Sequence, residues 1–370
     1  MSKLFEPISF RGMTLENRIM ISPMCQYSCT DGMANNWHLI HLGQLALGGA
    51  GLLCLEATAV EAVGRISTHC LGLWSDAHEA ALLRVLEAVR RHSNMPIAIQ
   101  LCHAGRKASS SPPWMGGALV PPSGGGWPVV APSAIAHATG EPSPSALDQA
   151  GIRRIRDAFA DAARRSARLG LDAIELHAAH GYLLHQFLSP LANERTDEYG
   201  GSLANRIRFP LEVFDAVREA WPADKPLGVR VSATDWVEGG WDPDQTVELA
   251  RELKSRGCDW LDCSSGGVST RQQIALSPGY QVPFASRVRR ETGMATIAVG
   301  LITDPEDAEA VVARGDADMV ALARGMLYDP RWAWHAAAQL GGTVSAPPQY
   351  GRCAPREAQS IFGGVRPVQR

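Results

Sequence analysis

Eight short apolar runs, each followed by a stretch of helical spacing, constrain this chain more than any other feature. The runs cover 19–23, 51–60, 96–102, 173–177, 227–231, 260–264, 296–300 and 319–323. They are continuously apolar and do not alternate, as parallel strands buried on both faces do. Apolar residues at helical spacing follow in 37–47, 77–92, 148–168, 203–220, 244–256, 282–291, 305–314 and 331–339. Asp242-Pro243 and Asp304-Pro305 read as N-caps with proline in the first turn. Gly170, Gly257, Gly293 and Gly315 stand just past helix ends. Eight such units predict a single-domain (β/α)8 TIM barrel. A doubly wound open sheet is the competing architecture. Its nucleotide-binding members carry Gly-x-Gly-x-x-Gly after a strand, and neither that turn nor a P-loop occurs here.

A chain of 370 residues with 45% apolar and 20% charged residues can bury a large core. A formal charge of −3 gives no electrostatic case for nucleic acid or an anionic membrane. The first eleven residues lack a signal-peptide core and no apolar run has membrane-spanning length, so a cytoplasmic protein is expected. The eight cysteines are scattered, several within apolar runs, which fits reduced thiols. Cys25 and Cys29 have no second close pair with which to hold a metal.

One segment breaks the rhythm. Residues 104–146, rich in Gly, Pro and Ser, form a long loop insertion after the third strand, with part of a hairpin expected at 128–135. A barrel places such a loop on the C-terminal face, where active sites are built. The expected organisation is a barrel over 1–345, this insertion over its mouth, and a tail at 346–370.

Reactive side chains collect at strand ends. Cys25 and Tyr27 follow the first strand, and Gln100 and His103 end the third. His177, His180 and Tyr182 end and follow the fourth, and Arg230 is near the end of the fifth. Ser264, Ser265 and Gly266 end the sixth, Gly300 the seventh, and Arg324-Gly325 the eighth. Residues three apart on a strand point to opposite faces, so His177 and His180 converge only if the chain turns at Ala178-Ala179. A helical zinc pair would need spacing four and a nearby Glu. Gly300, Asp304 and Arg324 suggest a phosphate site, where barrels often have one.

Four segments carry a resemblance. They are Met24-Cys25-Gln26-Tyr27, then Gln100-Leu101-x-His103-Ala104-Gly105-Arg106-Lys107, then His177-x-x-His180-Gly181-Tyr182, and the run Asn193 to Ser202. Together they resemble the Old Yellow Enzyme family of FMN-dependent ene-reductases, in its YqjM-like or xenobiotic-reductase-like bacterial branch. The resemblance implies FMN at the barrel mouth and NADPH or NADH as reductant. It implies that Pro23, Met24 and Ala59 contact the flavin through backbone, with Cys25 at its reactive edge. Gln100 and Arg230 would bond its pyrimidine side, and Gly300, Ala323 and Arg324 its phosphate. His177 and His180 would bind the oxygen of an activated alkene beside Tyr27, with Tyr182 as proton donor. The reaction implied is ping-pong reduction of α,β-unsaturated carbonyls, with nitro compounds as a further class. The resemblance also implies a homodimer or homotetramer in which Arg352, of Tyr350-Gly351-Arg352, reaches a neighbouring subunit's site. Two alternatives stand beside this reading. One is a dienoyl-CoA reductase-like flavin barrel. The other is a flavin-free barrel lyase, which would need paired carboxylates or a Schiff-base lysine, and of the four lysines only Lys107 lies near the mouth.

Overall fold

The computed structural model describes residues 2–363. Eight parallel strands close on themselves: β1 (Ile19–Ile21), β2 (Leu52–Ala59), β3 (Ile97–Cys102), β4 (Ala173–Ala178), β5 (Leu227–Ser232), β6 (Leu261–Ser264), β7 (Thr296–Ala298) and β8 (Met319–Leu322). Each pairs with its sequence neighbours, and Val320 opposite Ile19 closes the ring. All eight expected strands are present. They are buried on both faces, which is why they read as unbroken apolar runs.

The principal helices are α1 (Asn36–Ala46), α2 (Asp76–Arg90), α3 (Gln149–Arg168), α4 (Arg208–Ala220), α5 (Pro243–Ser255), α6 (Val282–Thr292), α7 (Pro305–Ala313) and α8 (Trp332–Leu340). Their start signals hold. Asp242 accepts from Gln245 N at 2.9 Å and Asp304 from Glu306 N at 2.8 Å. The helix expected over 203–220 is split at Ile207 into a short Leu203–Arg206 helix and α4.

A hairpin of Ile8–Phe10 against Met13–Leu15, not expected from the sequence, plugs the N-terminal end of the barrel. Its Phe10 meets the buried Trp260 edge-on, ring centroids 5.3 Å apart. The indole occupies the space beside Gly228, where a Cβ would lie 2.1 Å from the ring. No helix among the described residues is long and apolar enough to cross a membrane.

The 104–146 insertion lies between β3 and α3 and folds into three short 3₁₀ turns. The hairpin expected at 128–135 is absent. Val130–Ala131 instead pairs parallel with Ser145–Ala146, because a loop carries the chain back before it pairs. Residues 346–363 pack on α8, where Tyr350 meets Trp334 at 6.0 Å between ring centroids. The rest of the expected tail, 364–370, lies outside the described residues.

Candidate active site

His177 is the penultimate residue of β4 and shares the inward face with Glu175. The chain then turns as the small residues allow, with His180 and Gly181 left-handed at φ 55° and 74°. A Cβ on Gly181 would lie 2.1 Å from Gly267 O, so only glycine fits. The strained His180 backbone is held on both sides. Its N–H donates to Ser232 Oγ at 2.9 Å, and its carbonyl accepts from Lys107 Nζ at 2.8 Å.

This turn brings the two imidazoles together. Their rings are perpendicular, centroids 5.1 Å apart, with His177 Nε2 3.4 Å from His180 Nδ1. His177 Nδ1 accepts from Ala179 N at 3.3 Å, which leaves the proton of a neutral ring on Nε2. His180 Nε2 lies 2.7 Å from Ser264 Oγ, a hydroxyl that also faces Gln281 Oε1 at 3.4 Å. When Ser264 donates to His180, the ring's own proton moves to Nδ1. Two N–H groups then face the gap between the rings and need an acceptor there. Burial, then the Arg230 charge, push both histidines well below the ordinary value, so they are neutral donors at pH 7.

Tyr182 is the third member. Its ring stands at 86° to that of His177, centroids 4.9 Å apart, and Lys107 Nζ lies 5.2 Å above it. Burial raises its phenol well above the ordinary value. Lys107 is half-buried, and the loss of solvent lowers it to about 8. Its ammonium also donates to Gly267 O at 3.0 Å.

The half-buried segment from Pro23 to Ser28 lines the facing side of the mouth. Tyr27 is left-handed (φ 50°), and its ring meets Trp114 of the insertion at 5.6 Å. A hydrogen bond with Cys70, then burial, push the Cys25 thiol up, so it is uncharged. Ala59 requires correction. Its N–H donates to Leu71 O and its carbonyl accepts from Leu73 N, both at 2.9 Å, leaving no free N–H to offer a ligand. Ala57 packs with the cluster of Cys25, Tyr27, Cys70 and Tyr182 instead. A bulge between Leu55 and Ala57 shifts the register of β2 and decides this.

Gln100 and Arg230 lie in the floor on β3 and β5. The buried Ser22 Oγ has no hydrogen-bond partner among the described residues, as expected of a group awaiting a polar ligand, while Arg230 Nε faces Asp262 Oδ2 at 3.1 Å. At the ends of β7 and β8, a cavity of about 160 Å³ is lined by Gln281, Gly300, Leu301, Ala323, Arg324 and Gly325. Gly300 has φ 129°, open to glycine alone, and a Cβ there would meet Gln281. These groups fit a planar ring over the barrel floor and a phosphate beside β8.

Other strand-end residues are spent elsewhere. His103 Nε2 faces Glu61 Oε1 at 2.9 Å and its Nδ1 accepts from Gly105 N, so it organises the loop. Arg352 is exposed, with no hydrogen bond or ion pair among the described residues. Sequence reasoning missed Ser264 as a partner of His180, Gln281, and the anchoring role of Lys107. Their contacts join residues far apart in the chain, and no local spacing announces them.

Residues 3–342 match the NADH:flavin oxidoreductase / NADH oxidase family. An NADPH dehydrogenase of Geobacillus sp. (strain WCH70) is 46% identical over 351 residues, 94% of this chain and 98% of that protein. One from Bacillus subtilis (strain 168) is 43% identical over 352 residues, covering 95% and 98%. Among solved structures, morphinone reductase superposes with a TM-score of 0.77 at 32% identity, covering 94% of this chain and 92% of its own. The match sets aside a flavin-free lyase. The chain belongs to the NADH:flavin oxidoreductase / NADH oxidase family, with Old Yellow Enzyme-like relatives, and is an FMN-dependent NAD(P)H dehydrogenase.

Proposed function

We propose that this enzyme reduces the C=C bond of α,β-unsaturated carbonyl compounds, with nitro compounds as a further class. The observation that carries the reading is the perpendicular, neutral His177–His180 pair with the Tyr182 phenol against it. FMN, held by Gln100, Arg230 and Arg324, would supply the redox chemistry that carries hydride equivalents from NAD(P)H to the carbon β to the carbonyl. His177 and His180 donate to the carbonyl oxygen, where negative charge gathers as the β-carbon is attacked. Neutral donors suit this role, since they stabilise the developing charge without surrendering a proton. Tyr182 delivers a proton to the α-carbon, and its raised pKa keeps it loaded at neutral pH. Tyr27 and Trp114 wall the substrate side of the mouth.

In this reading Pro23, Met24 and Cys25 flank the flavin ring, with Ala57 replacing Ala59. Gln100 and Arg230 hold its pyrimidine side, and Gly300, Ala323 and Arg324 its phosphate. NAD(P)H and alkene use one pocket in turn, which gives ping-pong kinetics and needs no second nucleotide-binding fold. The enzyme acts in the cytoplasm as a homodimer or homotetramer, and Arg352, exposed and without a hydrogen bond or ion pair among the described residues, serves a neighbour's site.

The test is optical. Purified protein is expected to be yellow, to bleach with NADPH without oxygen, and to recover its colour on addition of cyclohexenone. Bleached enzyme that no enone or nitroalkene reoxidises would refute the alkene-reductase reading.

A further inference from the structure

Behind Gln100 and Arg230 lies a charge cluster that the proposed chemistry does not use. Glu175 and Asp262 are both fully buried in the barrel interior. Glu175 Oε1 accepts from Gln100 Nε2 at 2.9 Å, and Oε2 accepts from Trp260 Nε1 at 3.2 Å. Asp262 Oδ2 lies 3.1 Å from Arg230 Nε, yet neither Asp262 oxygen receives an aligned hydrogen bond. Gln100 pairs with Glu175 in register, as Arg230 does with Asp262, so the barrel itself sets these contacts.

The arithmetic of charge is unfavourable. Two carboxylates share one guanidinium in a dry interior. Among the described residues, Arg230 is the only cation acting on both. The other titratable groups facing them are thiols, Cys54 on β2, Cys258 before β6 and Cys263 on β6, all held neutral by burial. Burial raises both carboxyls, and repulsion from Asp262 raises Glu175 further. The two N–H donors on Glu175 suit its ionised form, so this pair is poised near the edge of protonation.

We propose that the Glu175–Asp262 pair takes up one proton from solvent when the flavin bound over Gln100 and Arg230 is reduced. The inference rests on the flavin site assigned above. Hydride leaves NADPH as two electrons and one proton, giving NADP⁺, and the site becomes one negative charge richer. Arg230 must then serve that new charge as well as Asp262. A like charge added beside two strained carboxylates favours their neutral form, and one carboxylate binds a proton to become a carboxylic acid. The pair titrates as a unit, with Gln100 and Arg230 relaying its state to the ring.

The experiment uses holoenzyme in weakly buffered anaerobic solution near neutral pH, titrated with NADPH beside a pH indicator. Wild type is expected to consume about one proton per NADPH oxidised. Glu175→Gln and Asp262→Asn, each retaining the yellow flavin, are expected to lose most of that uptake. Reduction-minus-oxidation infrared spectra should show a carboxylic-acid carbonyl stretch appearing in wild type and missing from Glu175→Gln. No uptake in wild type overturns the proposal. Uptake undiminished in both variants also overturns it, because the proton then sits on the flavin. If neither variant holds flavin, the wild-type infrared band decides alone. Protein that binds no flavin at all refutes the site assignment, a separate failure.

Discussion

Lys107, on a 3₁₀ turn after β3, donates its ammonium to the carbonyl of His180 at 2.8 Å while standing 5.2 Å above the Tyr182 ring. It therefore links the residue proposed to hold the substrate oxygen to the one proposed to supply the proton. Its charge favours the tyrosinate left after that proton departs. With its pKa lowered to about 8, Lys107 is charged at pH 7 and loses its charge as pH rises through that value. Flavin reoxidation by an enone is expected to slow over that range in wild type. Lys107→Arg should stay active without this limb, and Lys107→Met should be slow throughout. Identical stopped-flow pH profiles for all three would contradict the assignment.

Tyr182→Phe removes the phenol and keeps the ring that packs on His177. Alkene reduction should fall by about 10² or more, the usual loss when a general acid is removed. Flavin reduction by NADPH needs no such proton and should change less than about threefold, a small barrier difference. Equal losses in the two half-reactions, measured separately, would remove Tyr182 from the proton-donor role.

The burial that makes His177 and His180 good donors also makes them acid-sensitive. Their folded pKa values lie below the unfolded value of about 6.5. The unfolded chain therefore binds more protons as pH falls through that value. Their contribution to stability is complete above it and lost progressively below. Thermal melts should fall towards acid pH, and His177→Asn/His180→Asn should show a shallower fall. A double variant with the same pH slope as wild type would show that other groups set it.

Arg324→Ala takes a guanidinium from the cavity at the end of β8. FMN should bind about tenfold more weakly, about 1.4 kcal/mol, and the difference should shrink as salt rises because this arginine is exposed. Riboflavin, which lacks the phosphate, should bind both proteins alike. A loss of riboflavin equal to that of FMN would place the arginine elsewhere.

Arg352→Ala tests the proposed contact between subunits. Enone KM should rise severalfold in the oligomer while the flavin content stays constant. Unchanged steady-state kinetics would end the idea.

The barrel was legible because each strand is buried on both faces and so reads as an unbroken apolar run. The capping aspartates and terminal glycines declare themselves within a few residues. The His177–Tyr182 run was legible as chemistry, since three reactive side chains end or follow one strand. What stayed hidden depends on distance along the chain or on a single displaced residue. Ser264 meets His180 from 84 residues away, and Arg106 donates to Val268 O across 162. The β2 bulge brings Ala57 into the cluster of Cys25, Tyr27 and Tyr182 with no local signature. The pair of two-residue strands at Val130 and Ser145 is too short for its direction to be read.

The insertion has a consequence for what can enter. Arg106 ties its start to Val268 O at 2.7 Å and to Ile135 O at 3.1 Å, and Trp127 pins its middle to Val63 O at 2.8 Å. Between these anchors Trp114 is hung over Tyr27. The canopy is fastened, not hinged, so it works as a gauge. On the proposed function, the width left beneath one indole sets what is admitted, and trimming that ring should widen the range of accepted guests.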